Sequence, residues 1–589
     1  MQKPEAFYTS QLKHHQAEVK VFQKKLLTLS SLRLLVFLVT AFAIYLTYNY
    51  WQIAVIIGLA GITSFIYLLS KYTDVKYKRD ISKALVKLNQ EELAIASGDF
   101  HNRPTGNEFQ DPKHFYSLDI DLFGKGSFFQ FINRTHIFEG THKLASALKA
   151  NNISEIPQRQ QAIKELANKP EWRQMFSAVA SLIHVEVSTK TVTNWLQTYK
   201  VFLPNVMRWF PFVFRVITLI LLGLTIFKII GFSFIGYWLL IGLGITGIYL
   251  KKINQLASKT DKVKDTFRQY ASLLNSIESE GFTTDLLLEK QKEIQSYKEK
   301  ASHIFSKFSK HLDALDNRNN LISAIFGNGL FLTDIKNSYN VEQWIVAYKQ
   351  TVAKWFEVVT FFDAYNSLGN FAFNHPEYVF PDIVDKQTTI QSTALGHPLL
   401  DATKRVDSDL EINHQEFFII TGANMAGKST FLRTVSLHIV MANVGLPVCA
   451  TKSSYQPIKL ITSMRTSDSL TDDSSYFFSE LTRLKFIVDA IQDESYFIIL
   501  DEILKGTNST DKAIGSKKFV EKLVASHATG IIATHDLSLC DIEAELEPVQ
   551  NYYFDAQIVN DELFFDYKLK KGICQNMNAS FLLKKMEIV

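Results

Sequence analysis

Cysteine is scarce: Cys449, Cys540 and Cys574 are the 3 in a chain of 589 residues. They lie too far apart for a disulfide framework or a zinc-binding spacing, which suits a reducing compartment. Proline and glycine are also few, 13 and 25. The stretches 72–207 and 251–380 contain so little of either that they read as mostly helical, with charged, solvated faces. An excess of either charge sign is nearly missing too, with 63 Lys and Arg against 59 Asp and Glu. A net charge of +4 is too weak to point by itself to nucleic acid or acidic lipid. No secretory signal is expected either, because the first apolar run starts late, is too long and lacks a small-residue cleavage site.

The most informative absence is local. No charged residue occurs from Leu34 to Ser70, enough for two helices of about 17–20 residues, the length a bilayer core requires. Thr47–Gln52 is polar and aromatic, as expected of an interfacial turn. Lys24, Lys25 and Arg33 precede the run, and Lys71, Lys76, Lys78 and Arg79 follow it. Basic flanks on both sides predict a hairpin with both ends cytoplasmic. A second pair, Val216–Phe227 and Ile229–Leu250, is interrupted only by Lys228 and flanked by Arg208, Arg215, Lys251 and Lys252. Lys228 is expected at the outer turn, snorkelling to the headgroups. The composition, 47% hydrophobic with 45 Phe, agrees with a chain partly in lipid. The expected organisation is an arm at 1–30, a first transmembrane hairpin at 31–71, and a helical core-like segment at 72–207. A second hairpin at 208–251 and a helical core and lever segment at 252–385 follow. Lys251–Ile277 and Leu286–Leu315 read as extended helices. The last region, 386–589, alternates short apolar runs with helices, the pattern of an α/β domain with a largely parallel sheet.

That last region carries the chemistry. Glu416–Ile420 reads as a buried strand running into Gly422, Ala423, Asn424, Met425, Ala426, Gly427, Lys428, Ser429 and Thr430, then into a helix. Gly-x-x-x-x-Gly-Lys-Ser between strand and helix is the phosphate-cradling pattern of P-loop NTPases. Gly422 and Gly427 let backbone N–H groups turn toward phosphate, the helix N-terminus adds a favourable dipole, and Lys428 supplies a point charge. Ser429 offers a hydroxyl to Mg²⁺. A second apolar strand ends in Asp501 and Glu502: Asp501 is placed to hold Mg²⁺, and Glu502 to polarise an attacking water. A third ends at Thr534-His535, where His535 can sense the γ-phosphate or orient that water. ATP and Mg²⁺ are the cofactors expected.

These residues resemble the MutS family of DNA mismatch repair ATPases. Asn424–Thr430 is similar to that family's Asn-Met-Gly-Gly-Lys-Ser-Thr loop, and Asp501–Asp511 to its Asp-Glu-Ile-Gly-Arg-Gly-Thr-Ser segment. Ser467–Leu470 and Ser475–Glu480 resemble its signature segment, and Gly396-His397-Pro398-Leu399-Leu400 its lead-in to the ATPase domain. Asp119–Gly124, Asn133-Arg134-Thr135 and Gly140 are similar to the start of its helical core. The resemblance implies a dimer through the ATPase domain, each site completed in trans by Ser475 of the second copy. It also implies lever helices that couple nucleotide state to a clamp, and double-stranded DNA as a partner. Asp119 and Asp121 read either as a metal pair or as turn-capping carboxylates. Two departures stand out. Asp472-Asp473-Ser474 replaces the family's Gly-Gly-Arg, putting two carboxylates where they would repel a second copy's phosphates. The Phe-x-Glu mismatch reader has no counterpart ahead of the core; such tripeptides begin only at Phe478 and Phe519. The expectation is thus a membrane-anchored MutS-like ATPase in a bacterial inner membrane, with its ATPase domain cytoplasmic and mismatch reading unsupported. The alternatives are an ABC-type transport-associated ATPase, although the Leu-Ser-Gly-Gly-Gln signature is missing, and a nucleotide-gated scaffold with an unknown protein partner and no DNA role.

Overall fold

A computed structural model describes residues 3–182, 187–295, 299–316, 321–385, 387–465, 476–559 and 562–575. The chain opens with two very long helices, α1 (Pro4–Thr47) and α2 (Trp51–Ala96), packed as a hairpin about a turn at Tyr48-Asn49-Tyr50. The polar N-terminal arm and the first apolar run are therefore one helix, and α2 likewise runs on past its apolar half. In their apolar stretches Leu35, Phe37, Phe42, Ile56, Leu59 and Phe65 face outward. Among the described residues nothing covers them, which leaves an exposed apolar surface along both helices.

A helical body follows: α3 (Phe128–Ile132), α4 (Phe138–Lys149), α5 (Ile156–Ala167), α6 (Pro170–Ser181) and α7 (Thr189–Thr198). A second hairpin, α8 (Phe210–Ile226) and α9 (Ser233–Asp261), leads to α10 (Lys264–Ser279), α11 (Asp285–Gln295) and α12 (Ala301–Asp316). Then come α13 (Leu321–Phe331), α14 (Thr333–Tyr348) and α15 (Val352–Asn374). Among the described residues, α1, α2 and α9 are long and apolar enough to cross a membrane by length and composition, and α8 is a shorter apolar helix. Two of the expected long helices are interrupted. Lys251–Ile277 breaks at Lys262-Val263, where Val263 turns into the core, and Leu286–Leu315 is divided between α11 and α12.

The C-terminal region is an α/β domain with two sheets. The smaller, order β1-β5-β2-β3, joins β1 (Asp382–Ile383), β2 (Thr388–Leu395), β3 (Ser408–Asn413) and β5 (Lys452–Tyr455); β2 is antiparallel to both neighbours. The larger, order β10-β9-β4-β8-β7-β6, comprises β4 (Phe417–Gly422), β6 (Lys459–Ser463), β7 (Tyr496–Asp501), β8 (Thr529–Ala533), β9 (Val549–Val559) and β10 (Glu562–Lys571). It is parallel except for β10 on its edge. The central strands β4, β7 and β8 are almost wholly buried, which is why they read as unbroken apolar runs. Helices α16 (Lys428–Val444), α17 (Tyr476–Asp493), α18 (Ser509–Ala525) and the short α19 (Ile542–Glu545) complete the domain. One apolar core runs from the helical body through α16 to the inner face of the large sheet, and a second lies on the opposite face under α17 and α18.

The hairpin of α1 and α2 is tied into the body by buried polar groups. Glu92 accepts from Arg134 Nε at 2.5 Å, Asn370 Nδ2 at 3.0 Å and Asn374 Nδ2 at 2.9 Å. Tyr8 donates to Asn374 at 2.6 Å, and Arg173 to Asn370 at 2.7 Å. Burial works to raise the Glu92 carboxyl, but the charge and hydrogen bond of Arg134 hold it below its ordinary value. Asp363 on α15 is a second buried carboxyl. It accepts from the backbone N–H of His136 and Ile137, at the start of α4. Burial pushes it up to about 7 against those bonds.

Two outcomes follow. Glu92→Gln removes the charge opposite a largely buried Arg134 and is expected to cost about 3–5 kcal/mol, read as an earlier thermal unfolding of the solubilised protein. Asp363 works through pH. Because its folded value is raised, both states are protonated below about pH 4; above that the unfolded chain ionises first, so stability is lost from about pH 4 to about pH 7. Asp363→Asn keeps an acceptor but cannot ionise. Denaturant titrations at pH 5 and pH 8 should show a smaller pH penalty in the variant, the full span being on the order of 4 kcal/mol.

Candidate nucleotide-binding site

Three strand ends build the site. β4, β7 and β8 are parallel neighbours, with β8 between the other two, so their carboxyl ends lie side by side, the edge where open α/β sheets place ligands. β4 delivers the loop 422–427. Gly422 has φ +149° and Gly427 φ +107°, and a Cβ at Gly427 would lie 3.2 Å from the Tyr567 ring. Met425 also takes a left-handed conformation, φ 67°, with its side chain in solvent.

Lys428 begins α16, buried, and its Nζ donates to the carbonyls of Gly422 at 2.8 Å and Ala423 at 3.1 Å. Burial lowers its ammonium pKa, with Glu502 and Asp501 opposing. Ser429 Oγ donates to Asp501 Oδ2 at 2.6 Å, so a hydroxyl and a carboxylate from different elements converge on one point. Glu502, at the next position, turns left-handed (φ 50°) and its N–H bonds Ala533 O at 2.9 Å. That bond aims its side chain across the gap to β8. There His535 Nε2 lies 2.9 Å from Glu502 Oε1 and 3.2 Å from Lys428 Nζ. The hydrogen bond with His535 takes the Glu502 carboxyl down to about 2; Lys505, at 3.7 Å, assists, and partial burial opposes. Lys505 is positioned by its own N–H, which donates to the buried Glu480 carboxylate of α17. Asn508 caps α18 by accepting from Asp511 N.

Ala423, Asn424, Met425, Gly427, Lys428, Ser429, Thr430, Asp501, Glu502 and His535 therefore line one cavity of about 580 Å³, with Ala426 buried behind the loop. Ser475, and Asp472 and Asp473 beside it, lie outside the described residues. Asp119 and Asp121 are not in this cavity. Asp119 accepts from Arg465 N and Thr462 Oγ1, while Asp121 pairs with Arg465 at 2.7 Å and Arg433 at 3.6 Å. Arginines and a threonine take up both carboxylates, so the metal-pair reading fails and a structural one replaces it.

Several wall residues were not foreseen. Leu395, His397, Arg405 and Val406 come from the small sheet and its connection, and Phe554 and Tyr567 from β9 and β10. His397 was visible within the Gly-His-Pro motif; Phe554 and Tyr567 follow the phosphate loop by more than a hundred residues and carry no local signal.

A family model for MutS domain V matches residues 418–585, taking in the phosphate loop and all three strand ends. The C-terminal region of the chain is thus similar to MutS domain V. Human "MutS protein homolog 4" is 34% identical over 224 residues, covering 36% of this chain and 23% of that protein. The "DNA mismatch repair protein MutS" of Methanococcoides burtonii is 32% identical over 185 residues, covering 30% of this chain and 21% of its own length. The protein of the same name from Staphylococcus haemolyticus is 28% identical over 240 residues, covering 39% and 27%. The chain thus spans about a quarter of the length of these MutS relatives, and the similarity rests on domain V.

Gly427→Ala tests the loop. The new side chain would meet both a left-handed φ and the Tyr567 ring, and is expected to cost about 1–3 kcal/mol. Tyr567→Ala added to it relieves the ring but not the φ, so the double variant should still unfold earlier than Tyr567→Ala alone in a thermal scan.

Proposed function

We propose that this protein is a membrane-anchored, Mg²⁺-dependent ATPase of the MutS type, working as a dimer through its C-terminal domain. The observation that carries the reading is the convergence of Lys428, the Ser429–Asp501 pair and the Glu502–His535 pair on one cavity. Ser429 and Asp501 present hard oxygen donors, the set Mg²⁺ prefers. The ion, when bound, neutralises charge on the β and γ phosphates. Lys428 exchanges its loop carbonyls for phosphate oxygens, a point charge in a partly desolvated place where it counts most. Glu502 is fully ionised at neutral pH. So acidic a carboxylate is a weak proton acceptor, and its part is to orient and polarise water, in keeping with phosphoryl transfer governed by positioning. His535 holds Glu502 in place and lies close enough to Lys428 to respond when phosphate arrives.

The membrane anchor is supported by the outward-facing apolar side chains of α1, α2, α8 and α9, and the basic flanks of both hairpins support a reading with the hairpin bases and the ATPase domain on the cytoplasmic side. Duplex DNA as a partner is taken from relatives named for DNA mismatch repair.

The test is ATP binding and hydrolysis by the detergent-solubilised protein, with and without duplex DNA. Lys428→Ala should lose about 10²–10³ in rate, with loss of tight ATP binding. Glu502→Gln should bind ATP and fail to turn over. Hydrolysis at the parental rate by Glu502→Gln overturns its assigned role; ATP binding by the parent without any turnover favours the nucleotide-gated scaffold.

A further inference from the structure

The helix α13 lies in the segment that reads as cytoplasmic, yet its composition is that of a span. From Leu321 to Leu332 there is no charged residue. Of its described side chains, Ile325 is 38% and Phe326 52% exposed. At eleven residues it covers about 16 Å, half of what a bilayer core requires. An isolated exposed Phe needs no explanation, but an apolar helix of this kind beside a pair of apolar hairpin helices does.

Its contacts fix where it sits. A Cβ at Gly242 of α9 would stand 2.2 Å from the carbonyl oxygen of Gly329, and one at Gly329 would strike Leu239. Backbone therefore meets backbone, the close approach that small residues permit between helices in lipid. On the other side Thr218 Oγ1 of α8 donates to Leu330 O at 2.6 Å, and Arg215 Nε donates to Phe331 O at 3.0 Å. Trp238 of α9 completes the joint, donating to Thr218 Oγ1 at 2.8 Å. The end of α13 thus has two of its free carbonyls satisfied by α8, a necessity for a helix terminus away from water. At Leu332, φ 49°, the chain turns and returns as α14.

Those partners set the depth. Gly242 precedes Leu250, the last residue before Lys251, by eight positions, about 12 Å along a helix. If α8 and α9 cross the bilayer, Gly242 and Thr218 lie in its hydrocarbon, so the end of α13 reaches into the cytoplasmic leaflet just past the Arg215 flank. We propose that α13 is a re-entrant helix: it enters the cytoplasmic leaflet beside the second hairpin, ends at Leu332 without crossing, and presents Ile325 and Phe326 to lipid acyl chains. This rests on the membrane reading above. The occupant is lipid because α13 packs against α9, with Gly329 against Leu239, and the next residues of α9, Leu240 and Ile241, are exposed apolar side chains. The consequence is functional. α13 joins α12 to α14, so displacement of these body helices would drag an apolar wedge through one leaflet, making the bilayer a participant in the cycle.

Spin labelling decides it, using the full chain in phosphatidylethanolamine–phosphatidylglycerol liposomes, with the three natural cysteines buried. Nitroxides go on Phe326→Cys and, separately, Ile325→Cys, with Phe37→Cys and Leu240→Cys as hairpin references and Phe138→Cys on α4 as the aqueous one. Collision rates with oxygen and with a soluble nickel chelate are measured at each. The expected result is an oxygen-to-nickel ratio at 325 and 326 several-fold above that at Phe138 and close to those at Phe37 and Leu240. Water-like ratios at 325 and 326 with lipid-like ratios at both references overturn the re-entrant helix and leave the anchor standing. Water-like ratios at Phe37 and Leu240 as well overturn both.

Discussion

The Glu92 carboxylate is where the long first hairpin becomes part of the protein. It is buried at the base of α2, and its partners come from the loop ahead of α4 and from α15, with Tyr8 of α1 and Arg173 of α6 one bond further out. A buried charge pair of this kind contributes little net stability against an apolar alternative, because desolvation offsets attraction. Its contribution is geometric. Both carboxylate oxygens have donors, so α1, α2, α6 and α15 meet in one register. Without that register the hairpin would rest on side-chain packing alone, and α15, the last body helix before the sheets, would lose its reference to the hairpin.

From α15 the connection continues to the candidate nucleotide site. Arg159 of α5 donates to Asn443 O near the end of α16, while Asp121 pairs with Arg433 and Arg465. Arg433 is on the helix that Lys428 begins, and Arg465 follows β6. The segment around 119–121 therefore grips the phosphate-loop helix and the sheet edge together. A shift of α16 on phosphate binding would be felt through charged contacts in the body, whose ion pairs are discrete arrangements rather than a continuous spring.

Much of the site was legible because its residues are contiguous. The loop 422–430 and the Asp501-Glu502 strand end are short segments whose chemistry and local structure coincide, and the strands behind them, buried on both faces, announce themselves as unbroken apolar runs. What stayed hidden was assembled across distance. Phe554 and Tyr567 reach the cavity from β9 and β10, and the small sheet is built of short strands such as β3, whose alternation of buried and exposed residues is brief. The interruptions at Lys262-Val263 and between α11 and α12 were missed for another reason: an amphipathic pattern carries over such a break when the buried face resumes in nearly the same direction. Asp119 and Asp121 were ambiguous in sequence because their arginine partners lie more than 300 positions away.

One feature of the first hairpin bears on how the machine can move. α1 and α2 run without interruption from the apolar tip to the buried network, about 66 Å for the 44 residues of α1. On the membrane reading, such a rod acts as a caliper, holding the phosphate loop at a set height above the lipid. The second hairpin adds a separate footing, so the body cannot swivel about a single tether. ATP-driven motion would then have little access to approach or retreat along the membrane normal. It would be channelled into shear and rotation within the plane, where two copies could slide past, embrace or release each other while keeping the same altitude.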